Sequence, residues 1–174
     1  DSHLHQFIVG ETYIGPYDPE YPEPPMSDET QFTLSQIAMD PGSVFIYEYD
    51  FGDSWYHELR VEEIVPAQEA RSPICLAGER ACPPEDVGGM WGYYYFLEAI
   101  QDPDHWEHDE YLEWVGGAFD PEAFDLDEAN QALAALRQGA RRLGKLPPLY
   151  RFILNPYTDA RFTRCPGCQQ KMRQ

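Results

Sequence analysis

Residues 43–65 read SVFIYEYDFGDSWYHELRVEEIV, and this stretch is the clearest indication of the fold. β-Branched and aromatic residues dominate both sides of Phe51-Gly52-Asp53, which has the composition of a tight turn. Alternation places Phe45, Tyr47 and Tyr49 on one face of the first segment. In residues 55–65, successive side chains likewise alternate between the two faces of the strand. The pattern predicts strands over residues 44–50 and 55–65, joined as an antiparallel hairpin.

Upstream of the hairpin, residues 4–13 (LHQFIVGETY) are rich in strand-forming residues and predict a further strand with a turn near Gly10. His3 and His5 stand two residues apart, so on a strand they would project from the same face. Five prolines follow within residues 16–25, which predicts a loop rather than a central strand. Residues 31–37 form a short apolar segment that fits either a strand or a helix.

Downstream of the hairpin the pattern changes. Residues 73–92 (PICLAGERACPPEDVGGMWG) are rich in proline and glycine and predict a long irregular loop, a kind that is usually functional or internally tied. Helices are predicted over residues 93–100 and 104–115, and a third from the capping box at Asp125–Glu128 to about Arg142. The expected fold class is α+β, with a mostly antiparallel or mixed sheet around a central hairpin and a helical C-terminal half.

Charge is distributed unevenly along the 174-residue chain. Its net charge is −19. Residues 1–135 hold three basic residues against 30 acidic ones, whereas residues 136–174 hold nine against one. We therefore expect a domain over residues 1–145 and a basic tail over residues 146–174. The acidic body would repel a phosphate backbone, and only the tail suits contact with nucleic acid.

The rest of the composition limits the class of protein. Aromatic residues make up 14% of the chain, too many for a chain that is disordered throughout. No apolar run approaches the roughly 18 residues of a membrane span, so no membrane association is expected. Four cysteines are too few for a disulfide scaffold and fit a reducing compartment, which predicts a cytoplasmic protein.

The cysteines provide the candidate metal ligands, with zinc as the possible cofactor. Cys165 and Cys168 have the spacing of one zinc-ribbon knuckle, although a redox pair or unused thiols fit the same spacing. Cys75 and Cys82 could complete a second zinc site with His57, or with the two histidines near the N-terminus. The alternative for Cys75 and Cys82, which we favour, is a pair of buried thiols without metal.

Further candidate residues surround the hairpin turn and fill the long loop. Asp50, Asp53 and His57 could perform acid–base chemistry, but aspartates are also common in turns, and a histidine on a strand is more often structural. In the loop, Arg80 is expected to pair with a nearby carboxylate. The candidate binding loop contains Cys75, Glu79, Arg80, Cys82, Glu85 and Asp86. No phosphate-binding loop, dinucleotide fingerprint, hydrolase elbow or zinc-protease motif is present.

Three motifs together resemble the plasmid pRiA4b ORF-3-like family. They are DSHLHQF at residues 1–7, YDFGDSW at residues 49–55 with His57, and CLAGERACPPEDVGG at residues 75–89. The resemblance extends to about residue 136. It implies an α+β domain found in plasmids and mobile elements, largely of unknown activity. Members of the family begin with a strand pair and a helix that are absent here, and many have cysteine where Val87 stands.

Three functions follow from these observations. The first is a non-catalytic binding or adaptor module for a protein partner, in which the loop of residues 73–92 packs over the hairpin and forms the recognition surface. The second is a nucleic-acid accessory protein that acts through the basic tail with Cys165 and Cys168. The third is a metal-dependent enzyme that uses His57, Asp50, Asp53 and Cys82. We favour the three in that order, so catalysis is not the leading expectation.

Overall fold

The computed structural model describes residues 3–16, 26–65, 73–136 and 149–156. Within these ranges it contains six strands, four α-helices and one turn of 3₁₀-helix. In chain order the elements are β1 (His5–Val9), β2 (Thr12–Gly15), β3 (Met26–Asp28), the 3₁₀ turn (Glu29–Gln31), α1 (Leu34–Ile37), β4 (Val44–Tyr49), β5 (Trp55–Val65), α2 (Gly89–Gln101), α3 (His108–Trp114), α4 (Leu126–Leu136) and β6 (Leu149–Pro156). The predicted α+β class is confirmed.

The strands form one mixed sheet in the order β3-β2-β1-β4-β5-β6. The predicted hairpin is confirmed: β4 and β5 pair antiparallel, with Tyr49 opposite Trp55 and Val44 opposite Arg60. The predicted turn near Gly10 is also confirmed, because β1 and β2 form a second hairpin around it. β3 pairs parallel with β2 and makes the sheet mixed. The N-terminal strand β1 pairs with β4 and therefore lies at the centre of the sheet.

The sheet contributes one face to a small hydrophobic core. Phe45 and Val61 are almost fully buried there together with Ala38, which follows helix α1. Partly buried apolar side chains pack around these three, among them Phe7, Val9, Ile37, Leu59 and Ile64. The apolar segment of residues 31–37 that the sequence left open is thus a 3₁₀ turn followed by α1, and its last residue joins the core.

Helix α2 begins earlier than predicted. The glycines at its start suggested that the loop continued to residue 92, but α2 starts at Gly89. The Gly92 N–H donates to the Gly88 carbonyl as in a helix, at 3.1 Å. A Cβ atom at Gly92 would lie 1.8 Å from the Val87 carbonyl oxygen. Gly92 is therefore required for a close backbone contact and does not break the helix.

Helix α3 is shorter than predicted, because residues 103–107 form turns and the helix starts at His108. The Asp102 carboxylate accepts from the backbone N–H of Asp104 at 3.0 Å, a local bond that competes with helix formation. The third helix begins as predicted: Asp125 Oδ1 accepts from the N–H groups of Asp127 and Glu128, at 2.9 Å each. It is described to Leu136, and its predicted extension to Arg142 lies outside the described residues.

The chain divides into two compact units. The first, called the sheet unit below, comprises Asp1–Val65 and Tyr150–Gln174, and the second, called the helical unit, comprises Pro66–Leu149. The sequence missed β6, which lies within the predicted basic tail and adds the sixth strand to the sheet. In the described part of the chain, none of the helices has the length and apolar character needed to cross a membrane.

Candidate functional site

Two of the sequence motifs meet in the sheet unit. The antiparallel pairing of β1 with β4 places His5 opposite Tyr49, Gln6 opposite Glu48 and Phe7 opposite Tyr47. Because side chains alternate along a strand, the histidine belongs to the aromatic face of the sheet and Gln6 to the opposite face. The residues of DSHLHQF and YDFGDSW are therefore direct structural partners.

Asp50 links the hairpin turn to the N-terminal segment. Its φ is +56°, a left-handed conformation that aspartate tolerates better than most residues. One carboxylate oxygen accepts from the Gly52 N–H at 2.9 Å, and the other lies 3.3 Å from His3 Nδ1. Its own backbone N–H donates to the Leu4 carbonyl at 2.9 Å. These bonds explain why the residue is an aspartate, because it holds the hairpin turn together and joins that turn to the N-terminal segment.

The aromatic face carries two histidines on either side of Tyr47. The ring centroids of His5 and His57 lie 5.8 Å and 6.0 Å from that of Tyr47. His5 Nε2 is 2.9 Å from a Glu29 carboxylate oxygen, and His57 Nδ1 is 3.4 Å from the Tyr47 carbonyl oxygen. Burial, assisted by the Glu29 carboxylate, raises the pKa of Tyr47. In the described structure His57 thus bonds to the neighbouring strand and to neither Asp50 nor Asp53.

The opposite face of the sheet holds a buried carboxylate. Glu48 is only 5% exposed, and Gln6 Nε2 donates to it. Desolvation raises the pKa of Tyr56 to about 12, and a hydrogen bond to Glu48 adds to this effect. A carboxylate that accepts from an amide and a phenol is a satisfied structural group. This buried carboxylate could not be predicted, because Glu48 occurs in a strand with ordinary alternation.

In the helical unit, the predicted binding loop is tied to α4 and to the segment that leads into it. The Cys75 N–H donates to Asn130 Oδ1 at 2.8 Å, and Asn130 Nδ2 donates back to the Cys75 carbonyl at 3.0 Å. The Ala81 N–H donates to the Pro121 carbonyl at 3.1 Å. A Cβ atom at Gly78 would lie 2.3 Å from the Phe124 ring. The loop is therefore internally tied, as its length suggested.

The charged residues of this loop are at the surface. Arg80 has its expected carboxylate partner, because its Nε lies 3.3 Å from a Glu122 oxygen. Glu79, Glu85 and Asp86 are exposed, and Asp86 occupies a left-handed turn conformation with φ +58°. The structure thus pairs Arg80 with a residue outside the loop rather than with one of the loop acids.

The two loop cysteines are free thiols, but the favoured expectation that both are buried was wrong, because Cys82 is exposed and Cys75 is only partly buried. Desolvation of the sulfur, with a smaller contribution from the Glu85 carboxylate, raises the pKa of Cys82, which favours the neutral thiol over the thiolate that a metal needs. Within the described ranges, neither Cys75 nor Cys82 belongs to a cluster of three or more candidate metal ligands. The zinc site that combines them with His57 stays a prediction. Cys165 and Cys168 lie outside the described residues, so the zinc knuckle and the nucleic-acid function of the tail also stay predictions.

The helical unit presents a band of ring side chains that the sequence analysis did not single out. We define the aromatic band as Trp106, His105, Tyr95, Tyr111 and Trp114, whose successive ring centroids in this order lie 5.4–6.2 Å apart. Trp106 is 80% exposed and Trp114 is 47% exposed. The Tyr95 hydroxyl donates to the Glu107 carboxylate, a bond that raises the pKa of Tyr95.

The band rests on a buried aromatic core. Phe96 has no exposed surface, and its ring contacts those of Tyr111, Trp114 and Phe119 edge to face at 5.2–5.9 Å. His108 Nδ1 lies 3.0 Å from the Ala99 carbonyl, which joins α3 to α2. The signal for the band was two tryptophans, Trp106 and Trp114, in an otherwise strongly acidic stretch.

An open groove adjoins the end of the band at Trp114. It has a volume of 390 Å³ and is lined by Pro84, Glu85, Trp114, Val115 and Phe119. Pro84 and Glu85 come from the predicted binding loop, and the other three come from α3 and the segment after it. The groove therefore joins one predicted binding residue, Glu85, to the newly found aromatic residues.

Comparisons with known proteins give a consistent result. The family model described as Plasmid pRiA4b ORF-3-like protein matches residues 1–128, somewhat less than the expected extent of about 136. The uncharacterized protein y4hQ of Sinorhizobium fredii is 38% identical over 134 residues, which are 76% of this chain and 69% of that protein. A crystal structure of a protein of unknown function, MM3350 from Methanosarcina mazei Go1, is 38% identical with a TM-score of 0.63, and the match covers 74% of each chain.

Proposed function

The chain belongs to the plasmid pRiA4b ORF-3-like family, and we propose that it acts as a protein-binding module whose helical unit recognises a basic segment of a partner. The observation that carries this proposal is the exposure of the aromatic band. The proposal keeps the leading expectation from the sequence and moves the recognition surface from the loop alone to the band beside it.

The exposed tryptophans favour binding over a purely structural role. Large aromatic side chains are usually well buried, and those that are exposed together are typical of contact surfaces for other proteins. Trp106 is 80% exposed, whereas Phe96 beneath the band is fully buried. The fold of this unit therefore has its own aromatic core and does not depend on Trp106.

The charge around the band favours a basic partner. Residues 102–128 contain eleven acidic residues and neither lysine nor arginine. Glu107 contacts the band directly through Tyr95. Carboxylates attract a lysine or arginine from a distance, and the faces of exposed tryptophans bind the same cations by cation–π contact. Both features select a positively charged segment over an acidic one and over nucleic acid.

The surface is also held in place before it binds. The Asn130 side chain fixes the loop at Cys75, and the His108 imidazole fixes α3 to the α2 carbonyl of Ala99. Ordering a surface on binding costs free energy, so a surface that is already ordered binds more tightly for the same contacts.

The test uses two labelled peptides. In the basic peptide glycine alternates with lysine and arginine, and in the acidic peptide it alternates with glutamate. Fluorescence anisotropy measures their affinity for the whole chain. We expect the basic peptide to bind, with an affinity that falls as salt is added, and the acidic peptide not to bind. Trp106→Ala should weaken binding of the basic peptide roughly threefold to tenfold, because one cation–π contact is lost without a change of charge.

Met39→Ala is the matched control, because Met39 is a 70% exposed apolar residue in the sheet unit. It should leave the affinity unchanged. Equal affinities of the Trp106→Ala variant and the original chain would refute the role of the band, and equal binding of the acidic peptide would refute the selection for a basic partner.

A further inference from the structure

The groove beside Trp114 has a chemical character of its own. Its lining combines one carboxylate, from Glu85, with the indole of Trp114 and the apolar side chains of Pro84, Val115 and Phe119. A volume of 390 Å³ is enough for one long side chain with its surrounding water. Trp114, the last residue of the aromatic band, is also one of the residues that line the groove.

Such a lining matches the parts of an arginine side chain. A guanidinium is planar, stacks on an aromatic face and donates two parallel hydrogen bonds to one carboxylate. Its three methylene groups remain apolar and pack against apolar side chains. A lysine ammonium offers a compact charge that is more strongly hydrated and does not stack in the same way. An acidic side chain would be repelled by Glu85 and by the carboxylates of α3, which include Asp109, Glu110 and Glu113.

We propose that this groove seats an arginine side chain of the basic partner, with Glu85 as its counter-ion and Trp114 as its stacking surface. The proposal rests on the proposed function and deepens it, because it makes the groove selective for arginine rather than for positive charge in general. The aromatic band then supplies general affinity for the basic segment, and the groove supplies the choice of residue.

The test compares three labelled peptides that share one sequence of alternating glycine and a variable residue, which is arginine, lysine or citrulline. Citrulline has nearly the shape of arginine without its charge. We expect the arginine peptide to bind roughly five to ten times more tightly than the lysine peptide, and the citrulline peptide to bind most weakly. Glu85→Gln should reduce this preference for arginine over lysine to about twofold or less.

Glu79→Gln is the matched control, because Glu79 lies in the same loop, is exposed and does not line the groove. It removes the same charge and should leave the preference for arginine intact. Equal affinities for the arginine and lysine peptides, or equal effects of the two substitutions, would overturn the groove proposal. Loss of affinity on Trp106→Ala would still support the band in that case, whereas failure of every basic peptide to bind would overturn both proposals.

Discussion

The two units of the chain use their polar and aromatic residues in opposite ways. In the sheet unit, polar side chains from separate segments bond to one another: His3 with Asp50, His5 with Glu29, and Gln6 with Glu48. In the helical unit, the buried ring is Phe96, and the tryptophans lie at the surface. The motif residues His3, His5 and Asp50 of the sheet unit thus bond within that unit, whereas the proposed contact residues belong to the helical unit.

This difference indicates which residues can bind another molecule. A histidine that bonds to a carboxylate on the next element first holds those elements together. An exposed indole beside carboxylates contributes little to folding and keeps its surface for a partner. The comparison makes quantitative predictions, because the same residue type should have different effects in the two settings.

The largest effect is expected for the aromatic core of the helical unit. Phe96→Ala removes a fully buried ring that contacts four others, and it should lower the free energy of unfolding by about 3–5 kcal/mol. Trp106→Ala in the same unit should change it by less than about 0.5 kcal/mol. Urea unfolding followed by circular dichroism measures both. A large loss for Trp106→Ala would mean that Trp106 also contributes to the core.

The central hairpin followed from the sequence because its signals are local, whereas β3 and β6 were not predicted. Alternation over residues 44–49 and 55–65 defined β4 and β5, and turn residues separated them, so no distant contact was needed to recognise the hairpin. β6 was not predicted because the charge of residues 136–174 indicated a basic tail, although Leu149–Leu154 (LYRFIL) is rich in strand-forming residues. A strand at the edge of a sheet depends on a neighbour that periodicity does not identify.

The candidate site was harder to predict, because its contacts are distant in sequence. Cys75 and Asn130 are separated by 55 residues, and nothing near Cys75 indicates that its backbone bonds to an amide on α4. The same holds for Glu48 and Gln6, which are 42 residues apart. Arg80 could be assigned a carboxylate partner because bases are rare in this part of the chain, but the choice of Glu122 required the fold.

The second largest effect is expected for the buried carboxylate of the sheet unit. Glu48→Ala leaves the Gln6 amide and the Tyr56 hydroxyl without their acceptor and should cost about 1–3 kcal/mol of unfolding free energy. Glu58→Ala, on the same strand pair, loses only an exposed pair with Arg60 and should cost less than about 1 kcal/mol. Denaturant unfolding of both variants measures the difference. Equal losses would show that Glu48 behaves as a surface carboxylate.

A related effect concerns the ionisation of Tyr56. Its pKa in the folded chain is about 12, above the ordinary value of 10.0, because of desolvation and the bond to Glu48. The folded state therefore holds the phenol proton between about pH 10 and pH 12, where the unfolded state has lost it. This contribution to stability is complete below pH 10 and disappears as the pH rises through 12. The pKa values of Tyr47, Tyr93, Tyr95 and Tyr111 are also raised, but less than that of Tyr56. The last step in the tyrosinate absorbance titration should therefore be absent in Tyr56→Phe. Its persistence in that variant would assign it to another tyrosine.

A smaller effect is expected for the bond that fixes the loop. Asn130→Ala removes both hydrogen bonds to Cys75 and should lower the free energy of unfolding by about 1–2 kcal/mol. It should also increase hydrogen exchange at the Cys75 amide, which loses its acceptor. Asn130→Asp keeps the acceptor and should protect that amide more than alanine does. Unchanged exchange in both variants would mean that the loop is held from elsewhere.

The smallest effect is expected at Arg80, where two contributions oppose each other. The ion pair with Glu122 joins side chains that are 71% and 68% exposed, so it should contribute less than about 0.5 kcal/mol and weaken with salt. The backbone of Arg80 has φ +69°, which costs a residue with a side chain roughly 1 kcal/mol relative to glycine. Arg80→Gly should therefore leave the chain equally or slightly more stable, whereas Arg80→Gln loses the pair, keeps the strain and should be slightly less stable. If glycine proves clearly worse than glutamine in salt-dependent unfolding, the long side chain contributes through packing, and the surface of the helical unit is less separate from its core than the comparison with the sheet unit implies.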